Sequence, residues 1–242
     1  VDLDSKEDPV ARMERQVTSS LANLSTSYLD SVVVHWPICL DDERGDHRIA
    51  REGAWRGLES LVERGVIRHI GVSNWTCDLM DELLSYATIP PALNQIEFSP
   101  LVFQRDIRDF CADNGIRLMA YSPYGMCWLA LYAPKESGVQ YGCTNLTLHE
   151  RVIQIAEEQN ATPAQVLLAW GLTHGALQIP KTEQPARVLE ALDATTLVLT
   201  ESQLEALDTL SVGQAARGAE ESIQRHLRVI RAHRVAGTTR AT

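Results

Sequence analysis

A histidine and a tryptophan stand directly after a short apolar stretch near the start of the chain. Val32–Val34 are β-branched residues, and such a run is typical of a strand buried on both faces in a parallel sheet. Pro37 ends the strand, because proline cannot continue its hydrogen-bond ladder. His35 and Trp36 therefore come at the carboxyl end, where parallel α/β proteins place their chemistry. His35 could polarise a carbonyl or transfer a proton, or it could merely cap the strand.

Four further predicted strands also carry polar side chains at or just beyond their carboxyl ends. The strands cover residues 66–72, 93–98, 116–120 and 176–179. The polar groups are Ser73 with Asn74, Gln95 with Glu97, Tyr121 with Ser122, and Lys181 with Thr182.

Helical patterns separate these strands, which predicts a parallel sheet, either open and doubly wound or closed into a barrel. No G-x-G-x-x-G follows any strand, so the usual dinucleotide fingerprint of the open sheet is absent. Unlike functional groups on successive strand ends favour the (β/α) barrel.

Composition excludes several classes of function. The chain has 242 residues and is 45% hydrophobic, which suffices for one large core. Its net charge of −10, from 22 basic and 32 acidic residues, argues against nucleic acid or an anionic membrane as partner. It contains neither an apolar run of bilayer-spanning length nor a signal-peptide pattern at its start. The five cysteines form no C-x-x-C pair, so we predict a cytoplasmic protein with reduced thiols and no metal site.

Five short motifs occur in the order in which one enzyme family carries them. They are His35-Trp36-Pro37, Gly71-Val72-Ser73-Asn74, Asn94-Gln95-Ile96-Glu97, Ala120-Tyr121-Ser122-Pro123 and Ile179-Pro180-Lys181-Thr182. Together they make the chain similar to the aldo-keto reductase family over about residues 10–210. The resemblance implies a TIM (β/α)8-type barrel that binds NADPH across its C-terminal face and reduces aldehydes or ketones to alcohols.

The resemblance assigns roles to the residues of the first three motifs. His35 matches the histidine that hydrogen-bonds the substrate carbonyl oxygen, where a donor stabilises the developing alkoxide. Trp36 matches a wall of the substrate pocket. Ser73, Asn74 and Gln95 match the residues that hold the nicotinamide carboxamide, whose donor and acceptor suit hydroxyl and amide side chains.

The fourth motif matches residues that contact the middle of the cofactor. Tyr121 resembles the aromatic residue that stacks on the nicotinamide ring and so fixes the face that delivers hydride. Ser122, Pro123 and Tyr124 would lie against the pyrophosphate. Taken alone, a tyrosine such as Tyr121 is more often a core aromatic, Ser73-Asn74 could be a turn or helix cap, and Lys181 could be a solvated surface lysine.

The last motif and the residues after it match the adenosine end of the cofactor. Lys181, Thr182 and Arg187 resemble the group that binds the 2′-phosphate, a task suited to a point charge, a hydroxyl and a bidentate fork. Glu190 resembles the adenine contact. Glu183 departs from the pattern, because it puts a negative charge beside the phosphate.

The chain also departs from the family in its first part. About five strands are predicted where the family barrel has eight, and the family's active-site aspartate, tyrosine and lysine have no match. The incomplete barrel would lack about its first three strands and expose unpaired edges, which a second copy could cover. Either the chain is a fragment of an active reductase, or it is a natural short form that binds a dinucleotide or a partner chain without catalysis.

The organisation predicted from these patterns is a single barrel domain over residues 1–242, with a basic C-terminal tail at 214–242. Helix starts are predicted at Asp8-Pro9 and Thr162-Pro163, where a capping residue precedes proline. Capping boxes predict two more helix starts, at Thr147–Glu150 and Thr200–Gln203.

Overall fold

Strands and helices alternate along the chain. The structure is a computed structural model that describes residues 8–38, 47–125 and 145–211. The five strands among these residues are β1 (Leu29–Val34), β2 (Ile67–Ser73), β3 (Leu93–Glu97), β4 (Arg117–Tyr121) and β5 (Ala176–Gln178). The α-helices are α1 (Pro9–Leu24), α2 (Arg48–Glu63), α3 (Cys77–Tyr86), α4 (Arg105–Asp113), α5 (Glu150–Glu158), α6 (Pro163–Thr173), α7 (Pro185–Asp193) and α8 (Glu201–Asp208).

The predicted alternation and the predicted strands are confirmed, although β1 begins three residues before the valine run, at Leu29. The tail at 214–242 and most of the loop between Gly125 and Asn145 lie outside the described residues. No helix in the described ranges has the length and apolar character needed to cross a membrane.

The chain divides into two compact units. The first unit contains the residues up to Ile96 together with Asp106–Arg117, and the second contains Glu97–Arg105 and the residues from Leu118 onward. The expectation of a single barrel domain stays a prediction.

The first unit is built on the parallel strands β1, β2 and β3. In the register, Val34 lies beside Val72, and Ser73 lies beside Gln95. The carboxyl ends of the three strands are therefore level with one another. Val34 and Val72 are almost completely buried, so the apolar runs that predicted these strands do form the core.

Helices α1 and α2 of the first unit pack closely through two glycines. A Cβ atom added at Gly53 would lie 2.8 Å from Cβ of Pro9, and one added at Gly57 would lie 3.2 Å from Cβ of Met13. Because a side chain at either position would push the helices apart, glycine allows the approach that buries Met13 against α2.

The second unit contains the parallel pair β4 and β5, in which Leu118 lies beside Ala176 and Ala120 beside Gln178. Helix α6 forms much of its core, and Leu167 and Trp170 on this helix are buried. Gly171 faces β5, where a Cβ atom would lie 2.2 Å from Nε2 of Gln178.

Three of the four predicted helix starts are confirmed. The side chains of Asp8, Thr162 and Thr200 accept hydrogen bonds from the first turns of α1, α6 and α8. Both threonines form complete capping boxes.

The capping box predicted at Thr147 is wrong. Thr147 lies in a 3₁₀ turn, where its hydroxyl donates to Oδ1 of Asn145 at 2.8 Å. Helix α5 begins at Glu150, and the N-cap is His149, whose Nδ1 accepts from the backbone N–H of Arg151 at 3.2 Å. Asn145 thus competes successfully for the threonine that the sequence pattern assigned to the helix.

Two cysteines lie in the described ranges, and both are free thiols. Burial raises the pKa of the Cys111 thiol to about 12, so it is the unreactive thiol form at neutral pH. This agrees with the expectation of structural thiols. Cys39, Cys127 and Cys143 lie outside the described residues.

Candidate active site

His35 follows β1 directly and its side chain is exposed, whereas Trp36 is only 8% exposed. The two ring centroids lie 5.5 Å apart, with the planes inclined by 39°. The buried indole fixes the segment in the first unit and leaves the imidazole accessible to a ligand. The structure thus places His35 where the sequence predicted it, at a carboxyl strand end.

Asn74 links the ends of all three strands of the first unit. Its side-chain Nδ2 donates to the carbonyl oxygen of His35 at 3.0 Å and to Oγ of Ser73 at 3.1 Å. Its backbone N–H donates to the carbonyl oxygen of Gln95 at 2.9 Å. The backbone of Asn74 is left-handed, with φ of 66°, a conformation that asparagine tolerates better than most residues.

Ser73 is 2% exposed, and its hydroxyl donates to the carbonyl oxygen of Gln95 at 2.8 Å. A hydroxyl has one donor and two acceptor sites, so Ser73 can offer a ligand only an acceptor. His35, Ser73, Asn74 and Gln95 are therefore brought together, and we call these four residues the strand-end cluster. Its amide groups suit a carboxamide ligand, which has both a donor and an acceptor.

In the second unit, the segment after β4 makes a tight turn. Tyr121 ends β4 and is half-buried, and Ser122 has a left-handed φ of 53°. The N–H of Gly125 donates to the carbonyl oxygen of Ser122 at 3.0 Å, while Pro123 is buried. The turn keeps the predicted stacking residue and the predicted pyrophosphate contacts in one short stretch.

The charges of Glu190 and Arg187 in the second unit act on the phenol of Tyr124. Burial raises the pKa of Tyr124, the carboxylate of Glu190 raises it further, and the guanidinium of Arg187 lowers it. Oε1 of Glu190 also accepts from Oγ1 of Thr162 at 2.6 Å. Three predicted cofactor contacts are thus brought together, and one of them is anchored to the start of α6.

Lys181 and Thr182 follow β5 on the surface of the second unit. Nζ of Lys181 donates to Oε1 of Glu183 at 2.5 Å, and the two side chains are 80% and 83% exposed. Oγ1 of Thr182 accepts from the backbone N–H of Gln184 at 3.1 Å. Glu183, whose negative charge lies beside the predicted phosphate site, therefore forms an ion pair with Lys181, the lysine predicted to bind that phosphate.

Comparison with known proteins decides the family. Residues 4–212 match the sequence profile of the Aldo/keto reductase family. This protein belongs to the aldo/keto reductase family. An aldo/keto reductase of Synechocystis sp. is 36% identical in an alignment of 196 residues that covers 76% of this chain and 58% of that protein. Glyoxal reductase of Bacillus subtilis is 34% identical in an alignment of 224 residues that covers 85% of this chain and 72% of that protein.

Solved structures of aldo/keto reductases have the same fold. Aldose reductase of Giardia lamblia superposes with a TM-score of 0.73 at 30% identity, covering 87% of this chain and 71% of that one. An aldo-keto reductase of Bombyx mori in complex with NADP superposes with a TM-score of 0.73 at 25% identity, covering 86% and 66%. These matches confirm the predicted fold class. The chain spans 58% of the Synechocystis relative and 72% of the Bacillus one.

Two contributions to this aldo/keto reductase site were not predicted. Asn94 is completely buried, and its side chain accepts from the N–H of Trp75 at 3.4 Å and donates to its carbonyl oxygen at 3.0 Å. It thereby fixes the chain directly after Asn74. Two signals pointed to it, an asparagine inside a predicted buried strand and its place in the motif Asn94-Gln95-Ile96-Glu97, but neither gave its role. The second is Arg51 on α2, which donates to the carbonyl oxygen of Pro37 at 3.0 Å and which no local sequence pattern distinguishes. Within the described ranges, no group of three or more His, Cys, Asp or Glu could hold a metal ion.

Proposed function

We propose that this protein reduces an aldehyde or ketone to the corresponding alcohol, with NADPH as the hydride source. The observation that carries the proposal is the strand-end cluster, in which Asn74 holds the backbone of an exposed His35 and its own backbone N–H bonds to the carbonyl oxygen of Gln95. Relatives named as reductases support it, among them glyoxal reductase of Bacillus subtilis.

The chemistry of the donor set fits the proposed cofactor. The amides of Asn74 and Gln95 suit a nicotinamide carboxamide, and the aromatic ring of Tyr121 suits stacking on the nicotinamide. Lys181 and Arg187 are exposed cations of the kind that bind a phosphate. The Bombyx mori relative is a complex with NADP. The negative charge of Glu183 opposes the assignment.

Each residue has a separate task in the proposed reaction. NADPH, when bound, supplies the hydride that reduces the carbonyl carbon. His35 donates a hydrogen bond to the carbonyl oxygen and stabilises the negative charge that develops there. Asn74 and Gln95 hold the carboxamide, which orients the reacting ring, and Ser73 orients the amide of Asn74. Trp36 contributes a wall to the substrate pocket.

A proton must also reach the carbonyl oxygen, and we assign no residue of this sequence to that step. In the aldo/keto reductase family this step uses a tyrosine assisted by a lysine and an aspartate, and none of these three residues has a match in this sequence. Tyr124 is a poor candidate, because burial raises the pKa of its phenol and so weakens it as an acid. Tyr28 is not assigned the role either, because the guanidinium of Arg68 lies over its ring, 4.2 Å from the ring centroid.

Several finer points belong to the same proposal. The substrate is a small carbonyl compound, the protein acts in the cytoplasm, and neither nucleic acid nor membrane is a partner.

Because β1 pairs only with β2 among the described strands of its unit, we also propose that a second copy covers this edge. The reductase names of the relatives favour catalysis over a binding protein that lacks it.

The test is titration of the purified chain with NADPH and NADH, followed by assays with glyoxal and 4-nitrobenzaldehyde. We expect NADPH to bind, and reduction to be at least about a hundredfold slower than with Bacillus subtilis glyoxal reductase, because acid–base assistance is worth about 10²–10⁴ in rate. Failure of both dinucleotides to bind would contradict the proposed function. Turnover as fast as that of the reference enzyme would show that a residue of this chain supplies the proton.

Light scattering measures whether the chain is a dimer, and a monomer would contradict the proposal that a second copy covers the edge at β1.

A further inference from the structure

Arg51 on α2 and Glu82 on α3 form a largely buried ion pair in the first unit. Nε of Arg51 donates to Oε1 of Glu82 at 2.8 Å, and a terminal nitrogen donates to Oε2 at 2.7 Å. The side chains are 9% and 19% exposed. This two-point geometry fixes the plane of the guanidinium, which a single hydrogen bond would not do.

The other terminal nitrogen of Arg51 points to the segment that carries His35. It donates to the carbonyl oxygen of Pro37 at 3.0 Å. On the other side of the segment, Asn74 donates to the carbonyl oxygen of His35 at 3.0 Å. Two carbonyl groups of the three-residue segment His35–Pro37 are thus held by side chains, one from α2 and one from the turn after β2.

A second arginine on the same helix, Arg56, forms an exposed ion pair that can be compared with the Arg51–Glu82 pair. Arg56 binds Glu52 at 2.7 Å within α2, and the two side chains are 54% and 34% exposed. That pair lies within one helix and is open to water, where such pairs contribute little. The Arg51–Glu82 pair instead joins two helices to a loop. Because an unpaired buried charge is costly, the pair holds one arrangement.

We propose that Arg51 is a positioning residue for the active site, and that Glu82 acts through it. Glu82 fixes the guanidinium, the guanidinium fixes the carbonyl of Pro37, and the fixed backbone aims the imidazole of His35 at the substrate oxygen. The inference rests on the proposed function for its catalytic consequence, whereas its structural part concerns only the orientation of His35.

The first test compares Arg51→Lys and Glu82→Gln with the matched control Arg56→Lys in the full chain. Lysine keeps the charge but has a single nitrogen in place of the planar fork, so it cannot reproduce the two parallel bonds to Glu82 together with the bond to Pro37. We expect kcat/KM for 4-nitrobenzaldehyde to fall about tenfold, since misplacing a reacting group by an ångström costs up to about a hundredfold. NADPH affinity should be unchanged, because Ser73 and Asn74 keep their own bonds to Gln95.

The second test needs no turnover. The imidazole resonances of His35 are recorded by NMR in protein with labelled histidine and are assigned with His35→Ala. We expect these resonances to shift in Arg51→Lys and in Glu82→Gln and to stay in place in Arg56→Lys. If Arg51→Lys does not fold, Glu82→Gln carries the comparison, because glutamine keeps the shape of the partner.

The outcomes separate this inference from the proposed function. His35 resonances that are identical in all variants overturn the positioning role, as does an equal loss of activity in Arg56→Lys. A loss of NADPH affinity equal to the loss of kcat/KM also overturns it, because that result indicates a general structural role. If the wild-type chain neither binds NADPH nor reduces a carbonyl, the proposed function fails, and the NMR comparison alone decides whether Arg51 orients His35.

Discussion

The two units hold their candidate site residues in different ways. In the first unit, Ser73 and Asn74 are buried and bond to backbone carbonyl groups of neighbouring strands. In the second unit, Lys181 and Glu183 are more than three-quarters exposed and bond to each other. Buried donors must keep their partners, because losing one costs about 1–3 kcal/mol, whereas an exposed ion pair contributes about 0–1 kcal/mol.

This difference assigns different properties to the two groups of residues. The strand-end cluster has one geometry, and that suits a group that must orient a carbonyl and a carboxamide. The exposed cations can change partners at little cost, and that suits a contact that selects a cofactor. We therefore expect substitutions in the first unit to affect catalysis strongly and those in the second unit to affect cofactor preference mildly.

The largest effect is expected for Asn74→Gly. Glycine accepts the left-handed backbone, so the change removes the hydrogen bonds to His35 and Ser73 without adding strain. We expect kcat/KM to fall about a hundredfold, because the catalytic group loses its orientation. Steady-state kinetics measures this. Asn160→Gly is the control, since Asn160 is exposed and also left-handed, with φ of 50°; an equal loss in both would contradict the role of the cluster.

Lys181→Ala should change the choice of cofactor. We expect NADPH to bind about tenfold more weakly, at the low end of the loss of a charge-assisted hydrogen bond, because the lysine is exposed and shared with Glu183. NADH lacks the phosphate, so its affinity should not change. Fluorescence titration with both cofactors measures the effect, and Arg151→Ala serves as an exposed-cation control. Equal affinities for the two cofactors in the wild-type chain would remove the assignment.

Glu183→Gln should have the opposite and smaller effect. The substitution removes the negative charge beside Lys181 and keeps the size of the side chain, so NADPH should bind about threefold more tightly, in the range expected of an exposed ion pair. The same titration tests it, with Glu201→Gln as a control on the exposed first turn of α8. A gain for NADH as large as that for NADPH would show that Glu183 does not act on a phosphate.

Much of this arrangement could be predicted because the signals are local. The valine run before His35 and the threonine caps at Thr162 and Thr200 each depend on a few neighbouring residues. The pairing of Arg51 with Glu82 joins residues 31 positions apart, and no short pattern encodes it. Thr147 shows a different kind of failure. Its local pattern predicts a capping box, but its hydroxyl bonds to Asn145 two residues earlier and does not cap the helix. For Lys181 and Glu183, the sequence indicated only that a negative charge lies beside the predicted phosphate site; it did not predict that the two side chains form an ion pair.

The smallest effect concerns Tyr124. Because the guanidinium of Arg187 lowers the pKa of this phenol, Arg187→Ala should raise that pKa further, whereas Arg187→Lys keeps the positive charge and should leave it closer to the wild type. The ultraviolet absorbance of the phenolate, assigned by difference from Tyr124→Phe, follows the titration. A lower pKa in Arg187→Ala would contradict the proximity of these residues.

The most direct test of the central claim, that His35 orients the carbonyl for hydride transfer, is isotope transfer. The wild-type chain and His35→Ala are incubated with 4-nitrobenzaldehyde and NADPH carrying deuterium at C4, and the label in the alcohol is measured by mass spectrometry. His69→Ala is the control, since His69 is exposed on β2. We predict label in the wild-type product, a rate about a hundredfold lower in His35→Ala, as for loss of an oxyanion donor, and unchanged NADPH affinity. Equal rates of label transfer in the wild type and His35→Ala would contradict the account.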